Sequence, residues 1–280
     1  MNSFTIFLGT KNARFAIIVL AAILFIPFLG NVHLFDWDEI NFAECAREMI
    51  ASGDYFRPQI NFQPFWEKPP LFIWLQVAAM KVFGINEFAA RLPNAIIGLV
   101  TIWLAGNAGH KIYNLRTGNL FALFFLISWL PHLYFKSGII DPVFNLFIFL
   151  GFYQFYLAVK DDHRFLHPAL SGLFIGLAIL TKGPAALLIF GMAVLIFLIL
   201  FRGFRHIKGY SLLVLIITIL LTVSCWFGIY FVLDGSWFIR EFISYQIRLF
   251  TTRDAGHGGP FFYHFIVLLL GCFPAVIFPH

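Results

Sequence analysis

Residues 168–201 read "PALSGLFIGLAILTKGPAALLIFGMAVLIFLILF", and Lys182 is the only charge in these 34 residues. As one continuous helix they would extend about 51 Å, far more than a single bilayer core requires. The chain must therefore fold back, and Thr181, Gly183 and Pro184 supply the break. "LTKGPA" becomes the tip of a helical hairpin that presents an ammonium outward. Two readings of Lys182 stand: it snorkels to the lipid headgroups, or it meets an anion at the membrane boundary. Its place at a Gly-Pro break, rather than at a helix end followed by further basic residues, favours the second.

The rest of the chain fits the same frame. Of 280 residues, 60% are hydrophobic, 12% are charged and 38 are Phe, with mean hydropathy +0.85. A water-soluble fold would lack the polar surface to cover itself, so the expectation is an all-α, polytopic membrane protein. Apolar runs predict spans over 15–30, 93–109, 119–135, 139–159, 168–181, 183–201, 210–232 and 261–280. The first, behind Lys11 and Arg14, reads as a retained signal anchor because no small-x-small cleavage site follows it. Residues 71–84 reach only about 21 Å as helix and are expected to lie at the interface or to dip in and return.

Charge decides the orientation. With residues 71–84 not spanning, His110, Lys111, Arg116, Lys160, Arg164, Arg202, Arg205 and Lys208 all fall in loops on one side, the positive-inside pattern. Segments 31–88 and 233–259 then lie outside, together with nearly all the carboxylates. The net charge of +5 is dispersed through short loops, which excludes a nucleic-acid-binding face. No Gly-rich phosphate loop supports nucleotide chemistry at the inner side. Cys45, Cys225 and Cys272 are too few and too scattered for a disulfide framework or a metal cluster.

The outer segments carry the residues with chemical potential. "DWDEINFAECAREMI" (36–50) places Trp37, Ile40, Ala43, Ala46 and Ile50 at helical spacing, as in an amphipathic surface helix. Asp36 and Glu39 have capping-box spacing; Asp38 is not needed for that cap and is the better catalytic carboxylate, with Glu39 beside it. Asp141 before Pro142 is both an ordinary helix start and a carboxylate at membrane depth, for which Lys136 and Arg47 are plausible partners. In "FWEKPPLFIW" (65–74), Glu67 and Lys68 either form a local ion pair or put an ammonium at the height of lipid phosphates. "SWFIREFISYQIRLF" reads as a second amphipathic helix, with Phe238, Phe242, Tyr245 and Leu249 on one face and Arg240, Ser244 and Arg248 on another. His257 follows in a Gly-rich stretch; with Glu67 it could touch a divalent metal, but two ligands do not make a metal site, and none is assigned.

"DWDEINFAECAREMIASGDYFRPQIN", "FWEKPPLFIW", "FAARLPNAIIG", "LTKGP" and "HGGPFFYH", in this order, resemble the polyprenyl-phosphate-sugar-dependent membrane glycosyltransferases, the superfamily of lipid A aminoarabinose transferases and protein O-mannosyltransferases. The resemblance implies the C-type glycosyltransferase (GT-C) fold, with amphipathic extracytoplasmic helices roofing a cavity in a bacterial inner membrane, open to the periplasm or exterior. It implies a polyprenyl-phosphate-linked sugar as donor and a lipid A-like lipid, glycan or protein as acceptor, with inversion at the sugar. Carried onto this sequence, it makes Lys68, Lys182 and Arg248 the phosphate group, with Glu67 and His257 also at the substrate. Asp38 becomes the base or acceptor-orienting carboxylate, and Asp141 a support for the sugar or for a neighbouring cation. Members of that superfamily run considerably longer, so residues 1–280 are read as an N-terminal transmembrane domain. The rival class, a flippase or transporter for the same lipid, would use the same cations but needs no outer carboxylate and places its site near the bilayer midplane.

Overall fold

The computed structural model describes residues 6–35, 37–160, 165–200, 208–251 and 262–277. Its helices, in chain order, are α1 (Lys11–Phe25), α2 (Asp38–Ser52), α3 (Leu71–Phe83), α4 (Glu87–Ile112), α5 (Leu115–Ile127), α6 (Trp129–Phe135), α7 (Asp141–Lys160), α8 (Leu166–Lys182), α9 (Ala185–Leu200), α10 (Gly209–Ser224), α11 (Phe227–Asp234), α12 (Trp237–Thr251) and α13 (Tyr263–Gly271). A short antiparallel hairpin, β1 (Gln59–Ile60) and β2 (Gln63–Pro64), adds to the all-α expectation. Asn61 and Phe62 join its strands at φ 54° and 56°, the positive φ values that a tight two-residue hairpin turn requires.

Each expected span contains a helix, but the boundaries and bends differ. Among the described residues, α4 and α7 alone are long and apolar enough to cross a membrane, and up to four spans result if each bent pair counts as one. The expected span 119–135 breaks at Ser128, where α5 and α6 diverge by 69°. Ser128 is extended, with ψ 137°, and Pro131 has no N–H to return to the Ile127 carbonyl, so a continuous helix would lose a bond there. The expected span 210–232 bends by 43° between α10 and α11. α1 starts at Lys11 rather than at 15 because the Thr10 hydroxyl accepts the Ala13 N–H as an N-cap.

The chain forms two compact units: one contains Met1–Ala51, Leu75–Pro142 and His257–His280, the other Ser52–Trp74 and Val143–Gly256. In the first, α1, α4 and α5 pack on one another around Phe25, Leu92, Ile102, Leu126 and Phe135. Arg14, which the sequence suggests is a flanking loop cation, is buried instead. Its guanidinium donates to Asn119 Oδ1 at 2.6 Å, Asn107 Oδ1 at 2.8 Å and the Gly106 carbonyl at 2.8 Å. Asn119 passes the connection on by donating to the Leu8 and Thr10 carbonyls.

In the second unit, α8 packs along α10 through small residues. A Cβ at Gly172 would sit 2.5 Å from the Leu215 carbonyl oxygen, and one at Gly176 would sit 2.6 Å from the Thr222 side chain. This small-xxx-small spacing lets two membrane helices approach closely where burying apolar surface gains little. α8 also turns back onto α9, with Ile175 and Ile179 clustered with Ala186 and Phe190, which is the fold-back expected at "LTKGPA". A separate aromatic cluster joins Leu180, Trp226, Tyr230, Phe238 and Phe242.

Candidate functional site

α2 has Asp38 and Glu39 in its first turn, where carboxylates favour the helix dipole. The two side chains diverge. Asp38 is exposed, whereas Glu39 is buried against Arg91 of α4. Arg91 grips it with two parallel hydrogen bonds, Nε to Oε1 at 3.0 Å and Nη2 to Oε2 at 2.8 Å. Glu39 also accepts the backbone N–H of Gly138 and, at 2.8 Å, that of Phe35. The capping-type reach back from Glu39 therefore exists, but it ends on Phe35; Asp36 lies outside the described residues. Burial pushes the Glu39 carboxyl upward, and the hydrogen bonds from Arg91, Phe35 and Gly138 outweigh it, leaving the group below its ordinary range.

Of the apolar positions read at helical spacing on α2, Ala43 and Ala46 are buried, together with Phe42, Cys45 and Met49, whereas Trp37 and Ile40 are exposed. Two larger side chains, Phe42 and Met49, define the packed face, and hydropathy at helical spacing does not distinguish them from Trp37 and Ile40. Arg47 pairs with Glu44 at 2.6 Å, and Lys136 donates to the Leu24 and Pro27 carbonyls at 3.1 and 2.9 Å, capping the end of α1. Asp141 is the first residue of α7 and is half-buried.

In the second unit, Glu67, Lys68 and Arg248 meet at one aromatic ring. The Tyr245 hydroxyl donates to Glu67 Oε2 at 2.9 Å. The Lys68 ammonium and the Arg248 guanidinium each lie 5.4 Å from the Tyr245 ring centroid, within cation–π range. Lys182 ends α8, with its ammonium 5.6 Å from the Phe144 ring. Gly183 follows at φ 75°, and a Cβ there would meet the Phe242 ring at 2.8 Å, so only glycine fits both the backbone and the space. Phe242 and Tyr245 are one turn apart on α12. The segments bearing Lys68 and Lys182 thus dock on neighbouring turns of one helix.

Helical spacing alone puts Tyr245 on the apolar face of α12; the structure makes it the ring that organises Glu67, Lys68 and Arg248. Its position beside Arg248 at the edge of that face is the available signal. Arg91 and Asn94 are visible in the sequence only as part of "FAARLPNAIIG", with no role attached. His257 lies outside the described residues. Among the described residues no group of three or more His, Cys, Asp or Glu side chains gathers as metal ligands, and Glu67, the other metal candidate, is engaged by Tyr245.

Similarity to known proteins converges on one family. Residues 67–226, more than half of the chain, match the family described as dolichyl-phosphate-mannose-protein mannosyltransferase. An undecaprenyl phosphate-α-4-amino-4-deoxy-L-arabinose arabinosyl transferase from Shewanella sediminis is 29% identical over 90% of this chain and 46% of its own length. One from Erwinia tasmaniensis is 27% identical over 95% and 49%. The crystal structure of ArnT from Cupriavidus metallidurans bound to undecaprenyl phosphate superposes with TM-score 0.84 at 24% identity, over 95% of this chain and 49% of that one. The chain thus spans about half the length of the curated relatives it matches. Its fold is that of a GT-C membrane glycosyltransferase, and it is an integral membrane protein. With the family match covering most of the helical body that carries Glu67, Lys68, Asp141 and Lys182, this chain belongs to the dolichyl-phosphate-mannose-protein mannosyltransferase family.

Proposed function

We propose that the protein to which this chain belongs transfers a sugar from a polyprenyl phosphate to an acceptor at the extracytoplasmic face of a bacterial inner membrane. The observation that carries this reading is the grouping on α12, where Lys68 and Arg248 share the Tyr245 ring and the Lys182 turn docks one helical turn away. Three cations at an outer membrane boundary suit a lipid-linked phosphate, whose negative charge grows as the sugar leaves. The relatives' names, with undecaprenyl phosphate as carrier, support the same donor class.

In this mechanism Lys68, Lys182 and Arg248 hold the phosphate and stabilise its charge as the glycosidic C–O bond breaks. Glu67 orients Tyr245 and, through it, the two cations stacked on its ring. Asp38, exposed at the start of α2, takes the proton from a hydroxyl acceptor, or acts electrostatically if the acceptor is itself a phosphate. Asp141 supports the sugar or a neighbouring cation. Attack from the face opposite the departing phosphate inverts the sugar.

Mass spectrometry of lipid and glycoprotein fractions, with and without the complete protein, identifies sugar and acceptor in one comparison. A modified lipid, glycan or protein that vanishes with the gene supports transfer. Polyprenyl lipid that changes sides with no modified product supports transport instead. For the phosphate site, Lys68→Ala and Lys182→Ala should each weaken undecaprenyl-phosphate binding, and the double variant should lose less than the sum. Fully additive losses would separate the two lysines.

A further inference from the structure

"RLPN" (91–94) is used by no proposed step, yet its Arg91 side chain donates five hydrogen bonds and its Asn94 side chain two. We infer that Arg91 and Asn94 are positioning residues: one face of α4 fixes the segment that leads into Asp38 and the segment that leads into Asp141, and so sets the placement of the two carboxylates relative to each other. This rests on the roles given to those carboxylates above.

The geometry is specific. Besides the two bonds to Glu39, Arg91 donates from Nη1 to the Leu29 and Val32 carbonyls at 2.8 and 2.7 Å, and from Nη2 to the His33 carbonyl at 2.9 Å. All five guanidinium N–H groups are therefore used. They span residues 29–39, the whole approach to Asp38, and at its end Trp37 adopts φ 77°. A large side chain at positive φ is costly and persists only where surrounding contacts fix it. Three residues on, the same face of α4 presents Asn94, whose side-chain amide is fully buried and donates to the Ser137 and Ile139 carbonyls, both at 2.6 Å. The N–H between those carbonyls, that of Gly138, goes to Glu39. Three consecutive residues just before Asp141 are thus held by the same set of side chains that holds the approach to Asp38.

Pro93 completes the arrangement. Inside α4 it has no N–H to return to the Ala89 carbonyl and loosens the turn before it, and one residue on the Ala90 carbonyl accepts from the buried Gln76 side chain at 2.9 Å. A Cβ on Gly138 would come within 3.2 Å of that same Ala90 oxygen and 3.5 Å of Glu39 Oε1. Any larger residue at 138 would have to push the Ala90 carbonyl back by a few tenths of an ångström, so glycine is the residue that lets the 137–139 segment lie this close to α4 undisturbed.

A residue that acts through another loses its effect when that other is already disabled. The variants are made in the complete protein. The readouts are the product identified by mass spectrometry, per molecule of folded protein; undecaprenyl-phosphate affinity; and backbone hydrogen exchange. Asn94→Ala should lower product formation about 10- to 100-fold, as small misplacements of reacting groups do, with undecaprenyl-phosphate affinity within about twofold. In an Asp141→Asn background the same substitution should cost less than about twofold more. Arg91→Lys, which keeps the charge and loses the paired geometry, should behave likewise toward Asp38→Asn. Exchange should rise over 137–141 in Asn94→Ala and over 29–39 in Arg91→Lys. Should Arg91→Lys not fold, Asn94→Ser and Glu39→Gln test the same clamp.

Wild-type product formation in Asn94→Ala, an undiminished loss in the Asp141→Asn background, or unchanged exchange over 137–141 would each overturn the inference. Failure of the underlying reading looks different: Asp38→Asn and Asp141→Asn would themselves form product at the wild-type rate.

Discussion

The two units hold their connecting segments with a different balance of forces. In the first, buried polar side chains grip backbone: Arg91, Asn94 and Glu39 between them engage residues 29–35 and 137–139. In the second, aromatic rings hold the segments, with Trp226, Tyr230 and Phe238 mutually packed at centroid separations of 4.1 to 5.5 Å. Hydrogen bonds at a buried site fix direction, whereas ring packing fixes proximity and tolerates small rotations. The difference suits the proposed mechanism: carboxylates that address one face of a sugar would need direction, while long cations that surround a phosphate would need only reach.

The largest effect expected is loss of the polar clamp. Arg91→Ala leaves Glu39 buried without its cation and three carbonyls without donors, and breaking a buried pair from one side typically costs about 3–5 kcal/mol. Thermal unfolding in detergent should shift accordingly, with exchange rising first over 29–39. A shift no larger than that of an exposed Arg→Ala control would mean that the clamp is not structural.

Acid should attack the same unit more gently. The Glu39 carboxyl is held below its ordinary range, so its stabilisation is complete above the unfolded-state value near 4.3 and is lost as pH falls through the lower folded-state value. Neutral Glu39 can still accept some of its bonds, so the loss should be smaller than that of Arg91→Ala. The measurable signature is regional: below about pH 4, exchange should rise over 29–39 and 137–140, while the helix pair containing Ile175, Ile179, Ala186 and Phe190 stays protected. Uniform loosening of both units would erase the distinction.

In the second unit the sensitive feature is the seam between α8 and α10. Gly172→Leu would press a side chain into the Leu215 carbonyl, and overpacking of this kind costs about 1–3 kcal/mol. Undecaprenyl-phosphate binding should weaken with it if the Lys182 turn shifts, while exchange over 29–39 should not change. A stable Gly172→Leu protein would show that the helices can separate without penalty.

Much of this architecture is legible in the sequence. Hydropathy marks every helix-bearing span, and the lone Lys182 at a Gly-Pro break fixes the reversal between α8 and α9. Amphipathic spacing locates α12 and puts Phe238 and Phe242 on one face, and both are buried. What stays hidden depends on partners far away along the chain. Arg14 looks like any basic residue before a span until Asn107 and Asn119 are seen around it. Arg91 looks like a charge near a helix start until the carbonyls of 29, 32 and 33 are found on its donors. Helical periodicity reports which residues share a face, not which distant loop that face will hold, and the bend at Ser128 depends on a proline three residues beyond it.

The smallest expected effect tests a partly exposed ion pair of the second unit. Arg57 pairs with Asp234 at 2.8 Å and with Asp54 at 3.0 Å, tying the stretch before the β1–β2 hairpin to the end of α11. The pairing resembles the Glu39–Arg91 grip in geometry, with both Arg57 Nε and Nη2 on one carboxylate. It differs in setting: Arg57 is 37% exposed, against 4% for Arg91. Solvent and salt therefore screen it, and Asp234→Asn should cost only about 0.2–1 kcal/mol. Raising ionic strength should shrink even that difference, because exposed pairs are screened within about 10 Å at 0.1 M salt. A loss comparable to Arg91→Ala, insensitive to salt, would show that bidentate geometry rather than burial sets the strength of these grips, and the contrast between the two units would have to be drawn on other grounds.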